Sequence, residues 1–147
     1  MVSELTIQKN IVEAFKKAGG IGVKWPSGFT VGWPDLWLGV PNQDSFWMEV
    51  KHLYWNANNC TWRVSKIGKI QTVQINRILT CTGTIAMIGG VYKEGQKTVV
   101  IPTHPNFVNT SDINYAPKLV LNETNIADWC VKAFKFIRNQ HERTKQS

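Results

Sequence analysis

The chain has 147 residues, with 17 Lys and Arg against 10 Asp and Glu, a net charge of +7 and a pI near 9.5. Hydrophobic residues make up 43%, including seven Trp, enough for one folded domain and too much for a disordered basic tail. No apolar run reaches the ~18 residues of a membrane span, and the start MVSELTIQKN lacks the apolar segment of a secretory signal.

Taken in chain order, Ser3 is placed to cap a helix from about Glu4 to Ala18, with Ile7, Ile11, Phe15 and Ala18 forming its apolar stripe. Gly19-Gly20 ends it. Residues 21–25 read as a short strand and Pro26-Ser27-Gly28 as a turn. Within GWPDLWLGV (32–40), Pro34 excludes a helix interior, and the residues after it favour a strand. The turn 41–44 and the strand 45–55 (SFWMEVKHLYW) complete an antiparallel hairpin.

Residues 56–69 read as a long polar loop, followed by a helix from about Lys69 to Cys81 that Gly83 breaks. TIAMIGGVY (84–92) is a buried-strand run, and KTVVIP (97–102) a further strand. Residues 103–123 look irregular, a last helix spans about 124–139, and the tail HERTKQS reads as frayed. The order α-β-β-β-α-β predicts an α/β fold, a mixed sheet flanked by helices, with a C-terminal β-and-helix extension. The expected division is a core over residues 1–93 and an extension, residues 94–147, packed on the same domain.

The charge is not evenly spread. Residues 1–50 carry a net −1, residues 51–93 carry +6 with no acid at all, and residues 94–147 carry +2. A basic middle third favours a polyanionic partner, most often nucleic acid. The stretch interleaves Tyr54, Trp55, Trp62, Arg63, Lys66 and Lys69, with Arg77 beyond and Lys24 before. Charges of this kind suit phosphates, and rings suit exposed bases. The alternative for the Trp residues is a core or a dimer interface. Three Cys (Cys60, Cys81, Cys130), without CxxC spacing, predict a reduced, cytoplasmic protein with no disulfide frame. His52, His104 and His141 show no metal-ligand spacing and carry no assigned role.

Immediately before the basic stretch come the informative acids. Asp35 opens one strand of the hairpin, and Glu49-Val50-Lys51 lies on the other. Alternation puts Glu49 and Lys51 on one face. A hairpin can bring Asp35 beside Glu49, where two carboxylates repel unless a cation lies between them. Oxygen ligands suit Mg²⁺, with Mn²⁺ a substitute. A lysine next to them is placed to orient water and to stabilise charge on a phosphate. Without that context, Asp35 is a turn cap and Glu49–Lys51 a surface pair.

Four segments in order resemble the PD-(D/E)XK nuclease superfamily, and within it the VRR-NUC group of phage and repair nucleases: SELTIQKNIVEAFKKAGG, VKWPSGFTVGWPDLWLG, FWMEVK and IQTVQINRILTCTGTIAMIG. The resemblance covers residues 3 to about 92. It implies a restriction-endonuclease-like core and a Mg²⁺-dependent DNA endonuclease, structure-selective for branched or junction DNA and acting as a homodimer. It also implies a phage origin, hence the host cytoplasm, and a part in DNA repair or recombination. It assigns Asp35 and Glu49 to the metal, with the Val50 backbone carbonyl as an extra ligand, and makes Lys51 the catalytic lysine. The family glutamine matches Gln71 or Gln74; Gln71 is favoured because Ile75, Ile78 and Leu79 extend a buried face from it. An acid on the first helix matches Glu4 better than Glu13, although a Glu there also suits the helix dipole. The competing expectation is a non-catalytic DNA-binding or replisome-associated protein on the same scaffold.

Overall fold

The computed structural model describes residues 2–26, 30–123 and 125–146. Helix α1 (Glu4–Lys17) begins at Ser3, whose hydroxyl accepts from the Thr6 amide at 3.2 Å. It is followed by strands β1 (Ile21–Lys24), β2 (Leu36–Gly39), β3 (Phe46–Asn56) and β4 (Thr61–Val64). Then come α2 (Lys69–Thr82), β5 (Ile85–Glu94), β6 (Lys97–Thr103), β7 (Leu119–Val120) and α3 (Ile126–Lys145). The fold is mixed α/β. One sheet runs β1-β2-β3-β5-β6-β7, with β4 paired to β3. Among the described residues only β3 and β5 pair in parallel, because the helix α2 carries the chain back between them.

The strand β5 is buried from Ile85 to Val91 and sits between β3 and β6, so its sequence reads as a continuous apolar run. Gly89 leaves room for the buried Met48 side chain: a Cβ would lie 2.5 Å from its Sδ, so Met48 would have to shift. Gly83 closes α2 in the left-handed region, φ 72°. Phe46 gathers Phe15 of α1 and Trp129 and Phe134 of α3 around itself, so both helices cover the face of β3 that carries Phe46, Met48 and Val50. The opposite face carries Trp47, which packs against Trp25, Trp33 and Trp37.

Three expectations need correction. The supposed loop 56–69 contains β4, held to β3 by the pairs Leu53–Val64 through Asn56–Thr61. The irregular stretch 103–123 contains two 3-10 turns, Pro105–Phe107 and Ser111–Tyr115, and the short strand β7. The last helix does not stop near residue 139: α3 runs to Lys145, because Gln140 and His141 are buried against the rest of the fold. Thr124, the expected helix start, lies outside the described residues, as do Ser27 and Gly28 of the expected turn; Asn125 supplies the cap, accepting from the Ala127 amide. No helix among the described residues is long and apolar enough to cross a membrane.

Candidate active site

The β2–β3 ladder pairs Leu36 with Met48, Trp37 with Trp47 and Leu38 with Phe46. Continued one step, this register sets Asp35 opposite Glu49, on the face shared with Trp47 and Lys51. Asp35 sits on the bend before β2, where its carbonyl accepts from the Trp25 amide at 2.6 Å. That bond belongs to β1, so the next residue, Leu36, bonds toward β3 and pairs there with Met48. Further up β3, the His52 carbonyl accepts from the Ser65 amide at 2.8 Å. Alternation therefore turns the Val50 backbone to the same edge of β3, in the gap between the last β2 pair and the start of β4.

Two glutamines close the carboxylates in. Gln8 of α1 donates from Nε2 to Asp35 Oδ2 at 2.9 Å. Gln71 of α2 donates from Nε2 to Glu49 Oε2 at 3.2 Å, while its Oε1 accepts the Gly68 amide at 3.0 Å. The same side chain thus caps α2 and holds Glu49. Of the two candidate glutamines, only Gln71 reaches the carboxylates; Gln74 donates outward to the Val31 carbonyl. Lys51 Nζ lies 3.7 Å from Glu49 Oε2.

Glu49 is 4% exposed and Gln8 5%. Burial, then the neighbouring Asp35, push the Glu49 carboxyl from its ordinary 4.5 up to about 8; Lys51 opposes this, and Glu4 adds slightly to it. Glu49 Oε1 and Gln8 Oε1 are both buried without a hydrogen-bond partner. The indole N–H of Trp33, in the cleft beside Asp35, is buried and without a hydrogen-bond partner as well; orphaned oxygens next to a carboxylate pair are costly unless a cation or a donor enters. A cleft of about 310 Å³ lined by Trp25, Trp33, Asp35 and Gln71 adjoins it.

Oxygen donors only, two carboxylates and an edge carbonyl fit a hard divalent cation. Among the described residues no group of three or more His, Cys, Asp or Glu forms, so waters would complete such a set. Glu4 is half-buried on α1, close enough for its charge to act on Glu49.

The basic candidates lie around this centre rather than in it. Arg63, Lys66, Lys69 and Arg77 are exposed, and none of them has an acidic partner among the described residues; Lys24 is exposed at the end of β1. Tyr54 and Trp55 are exposed on β3, and Trp62 on β4 lies between Trp55, which it meets edge-to-face, and Tyr92, against which it is tilted. Sequence reasoning missed Gln8 as a partner of Asp35. The available signal was a polar residue one turn after Glu4, on the same side of α1 as Ile7 and Ile11.

No family model, curated protein or solved structure matches this chain.

Proposed function

We propose that the chain is a Mg²⁺-dependent DNA endonuclease of the PD-(D/E)XK type, with a restriction-endonuclease-like core. The observation that carries the reading is the acceptor-rich pair of Asp35 and Glu49, with a lysine at 3.7 Å and two buried oxygens left without donors. Asp35, Glu49 and the Val50 carbonyl would hold the cation, with Glu4 as a further carboxylate. Bound there, a divalent cation supplies a hydrolytic nucleophile at neutral pH and neutralises charge on phosphate.

The remaining work falls to the chain itself. Gln8 and Gln71 fix one oxygen of each carboxylate, so neither can swing away when a phosphate approaches. Lys51 offers its ammonium to charge developing on the scissile phosphate, and it orients water on the Glu49 side. Its contact with Glu49, Nζ to Oε2 at 3.7 Å, holds it beside the carboxylates. The exposed Arg63, Lys66, Lys69 and Arg77 draw in the backbone without base preference. Branched DNA is the favoured substrate, and pairing of two copies about a twofold axis would supply one site per strand.

The test is cleavage of labelled duplex, flap and four-way junction DNA by purified protein with Mg²⁺. Asp35→Ala and Lys51→Ala are expected to lose cutting while retaining binding. If both variants cut as well as the wild type, the reading is wrong. If the wild type binds DNA but never cuts, the protein is a binding module.

A further inference from the structure

The ring cluster formed by Trp55, Trp62 and Tyr92 lies on the same face as the carboxylates. Alternation along β3 carries Glu49, Lys51, Leu53 and Trp55 on one side. Trp62 pairs directly with Trp55, their ring centroids 5.2 Å apart. Tyr92 follows the β3–β5 register to the level of Leu53, and its ring lies 4.6 Å from Trp62 at a tilt of 38°. At the rise of an extended strand, Tyr92 is about 13 Å and Trp55 about 20 Å up from Glu49. That is within a few nucleotides of the candidate scissile position.

Trp62 and Tyr92 are half-buried against the edge of the core, and Trp55 extends their surface outward. Trp55 is 51% exposed near the end of the β3–β4 pairing, and Tyr54 beside it is also exposed. A packed interior would have covered them. The surroundings are cationic: no acid occurs between residues 51 and 93, and Lys93, which lines the same cleft as Trp55, Trp62 and Tyr92, has no acidic partner among the described residues, whereas Arg63, paired across from Tyr54, lies on the other face of the ribbon. Flat rings with an unneutralised cation alongside match one ligand chemistry, a nucleotide whose base is free to stack while its phosphate meets the cation. A base locked inside a duplex cannot reach a ring in this way.

We infer that Trp55, Trp62 and Tyr92 form a stacking shelf for an unpaired base next to the cutting site, so that the enzyme selects DNA with a single-stranded segment at the cleaved position. This rests on the nuclease reading for the meaning of the site, but the shelf itself is testable without cleavage. Fluorescence anisotropy without divalent metal would compare a blunt duplex with the same duplex carrying a short 5′ or 3′ single-stranded extension. The wild type is expected to bind one of the extended duplexes about tenfold more tightly than the blunt one, the scale of one stacked base. Trp55→Ala should bring that ratio close to one, and Trp55→Phe should restore most of it.

The inference is overturned if the wild type shows no preference, or if Trp55→Ala keeps it. It is equally overturned if Trp55→Ala converts a dimer to a monomer in sedimentation, because the shelf would then be a contact between copies. Failure of the two readings can be told apart. A wild type that cuts DNA while Trp55→Ala keeps the preference loses only the shelf. A wild type that prefers the extended duplex through Trp55 but never cuts loses only the nuclease.

Discussion

Two polar networks in this molecule differ in whether every group has a partner. Beside α3, His104 and His141 stack with ring centroids 5.3 Å apart, His104 fully buried and His141 nearly so. The Asn106 amide donates to His104 Nδ1 at 3.1 Å, so the ring proton is on Nε2. That proton goes to His141 Nδ1 at 3.2 Å, and His141 Nε2 in turn faces the Thr80 hydroxyl on α2 at 3.4 Å. Gln140 accepts the His104 amide at 2.7 Å and donates to Asp112, which also accepts from Arg143 at 2.6 Å. Every donor has an acceptor, and the network ties α2, α3 and the segment after β6 together. The Asp35–Glu49 network is shallower, with only Glu49 and Gln8 buried, and it is left with two orphaned oxygens. Completed polar burial fixes a fold, whereas polar groups left short of partners beside a carboxylate pair leave a site whose occupant experiment can look for.

The largest expected effect separates the two by activity. Lys51→Ala should lower DNA cleavage by about a hundredfold or more, the scale of removing one electrostatic stabiliser of a transition state, whereas His141→Asn should leave the cleavage rate per folded molecule unchanged. A gel assay at matched folded concentration reads both. The next effect is on stability. Gln140→Ala leaves the His104 amide and Asp112 short of partners and should cost about 2–3 kcal/mol in urea unfolding. Glu49→Gln removes a carboxyl held at about 8 and should raise the melting temperature of the metal-free protein at pH 8 and above. If Glu49→Gln destabilises the protein as Gln140→Ala does, the distinction between the networks fails.

The pH dependence follows from the same contrast, with opposite signs. Glu49 is raised from 4.5 to about 8, so its contribution is fully present below about 4.5 and is lost as pH rises toward 8. His104 is lowered by burial, then by His141, from 6.5 to about 4, so its contribution is present above 6.5 and is lost as pH falls toward 4. Thermal melts across this range should show a maximum between the two limbs. The two windows overlap between about 4.5 and 6.5, where their slopes oppose, so Glu49→Gln should remove the fall in stability up to about 8 and expose the His104 rise, and His104→Gln should do the reverse. The smallest effect is expected at Asp44, whose exposed ion pair with Arg138 spans 3.9 Å; Asp44→Asn should change stability by less than about 1 kcal/mol.

Much of the fold was legible because it is written in local periodicity: the α1 stripe, the Pro34 strand start, the apolar run of β5 and the Gly83 stop. The pairing of Asp35 with Glu49 was legible too, since a short hairpin and strict alternation leave few registers. The strand β4 was not, because TWRV is four residues of mixed polarity whose strand state comes from pairing with residues 53–56. The end of α3 was hidden for a similar reason. Gln140 and His141 look like surface residues until His104, 36 residues and more away in the chain, is folded against them. Gln8 was passed over because a glutamine between two isoleucines announces no chemistry; only the arrival of Asp35 from another element gives it a role.

The central claim, that the Asp35–Glu49 pair accommodates a divalent cation, is tested most directly by calorimetric titration of the purified protein with Mn²⁺ at pH 8. The wild type should bind with a saturable isotherm, Asp35→Asn and Glu49→Gln should each abolish it, and His141→Asn should leave it intact. An isotherm that survives both carboxylate substitutions, or a folded wild type that takes up no Mn²⁺, would contradict the claim.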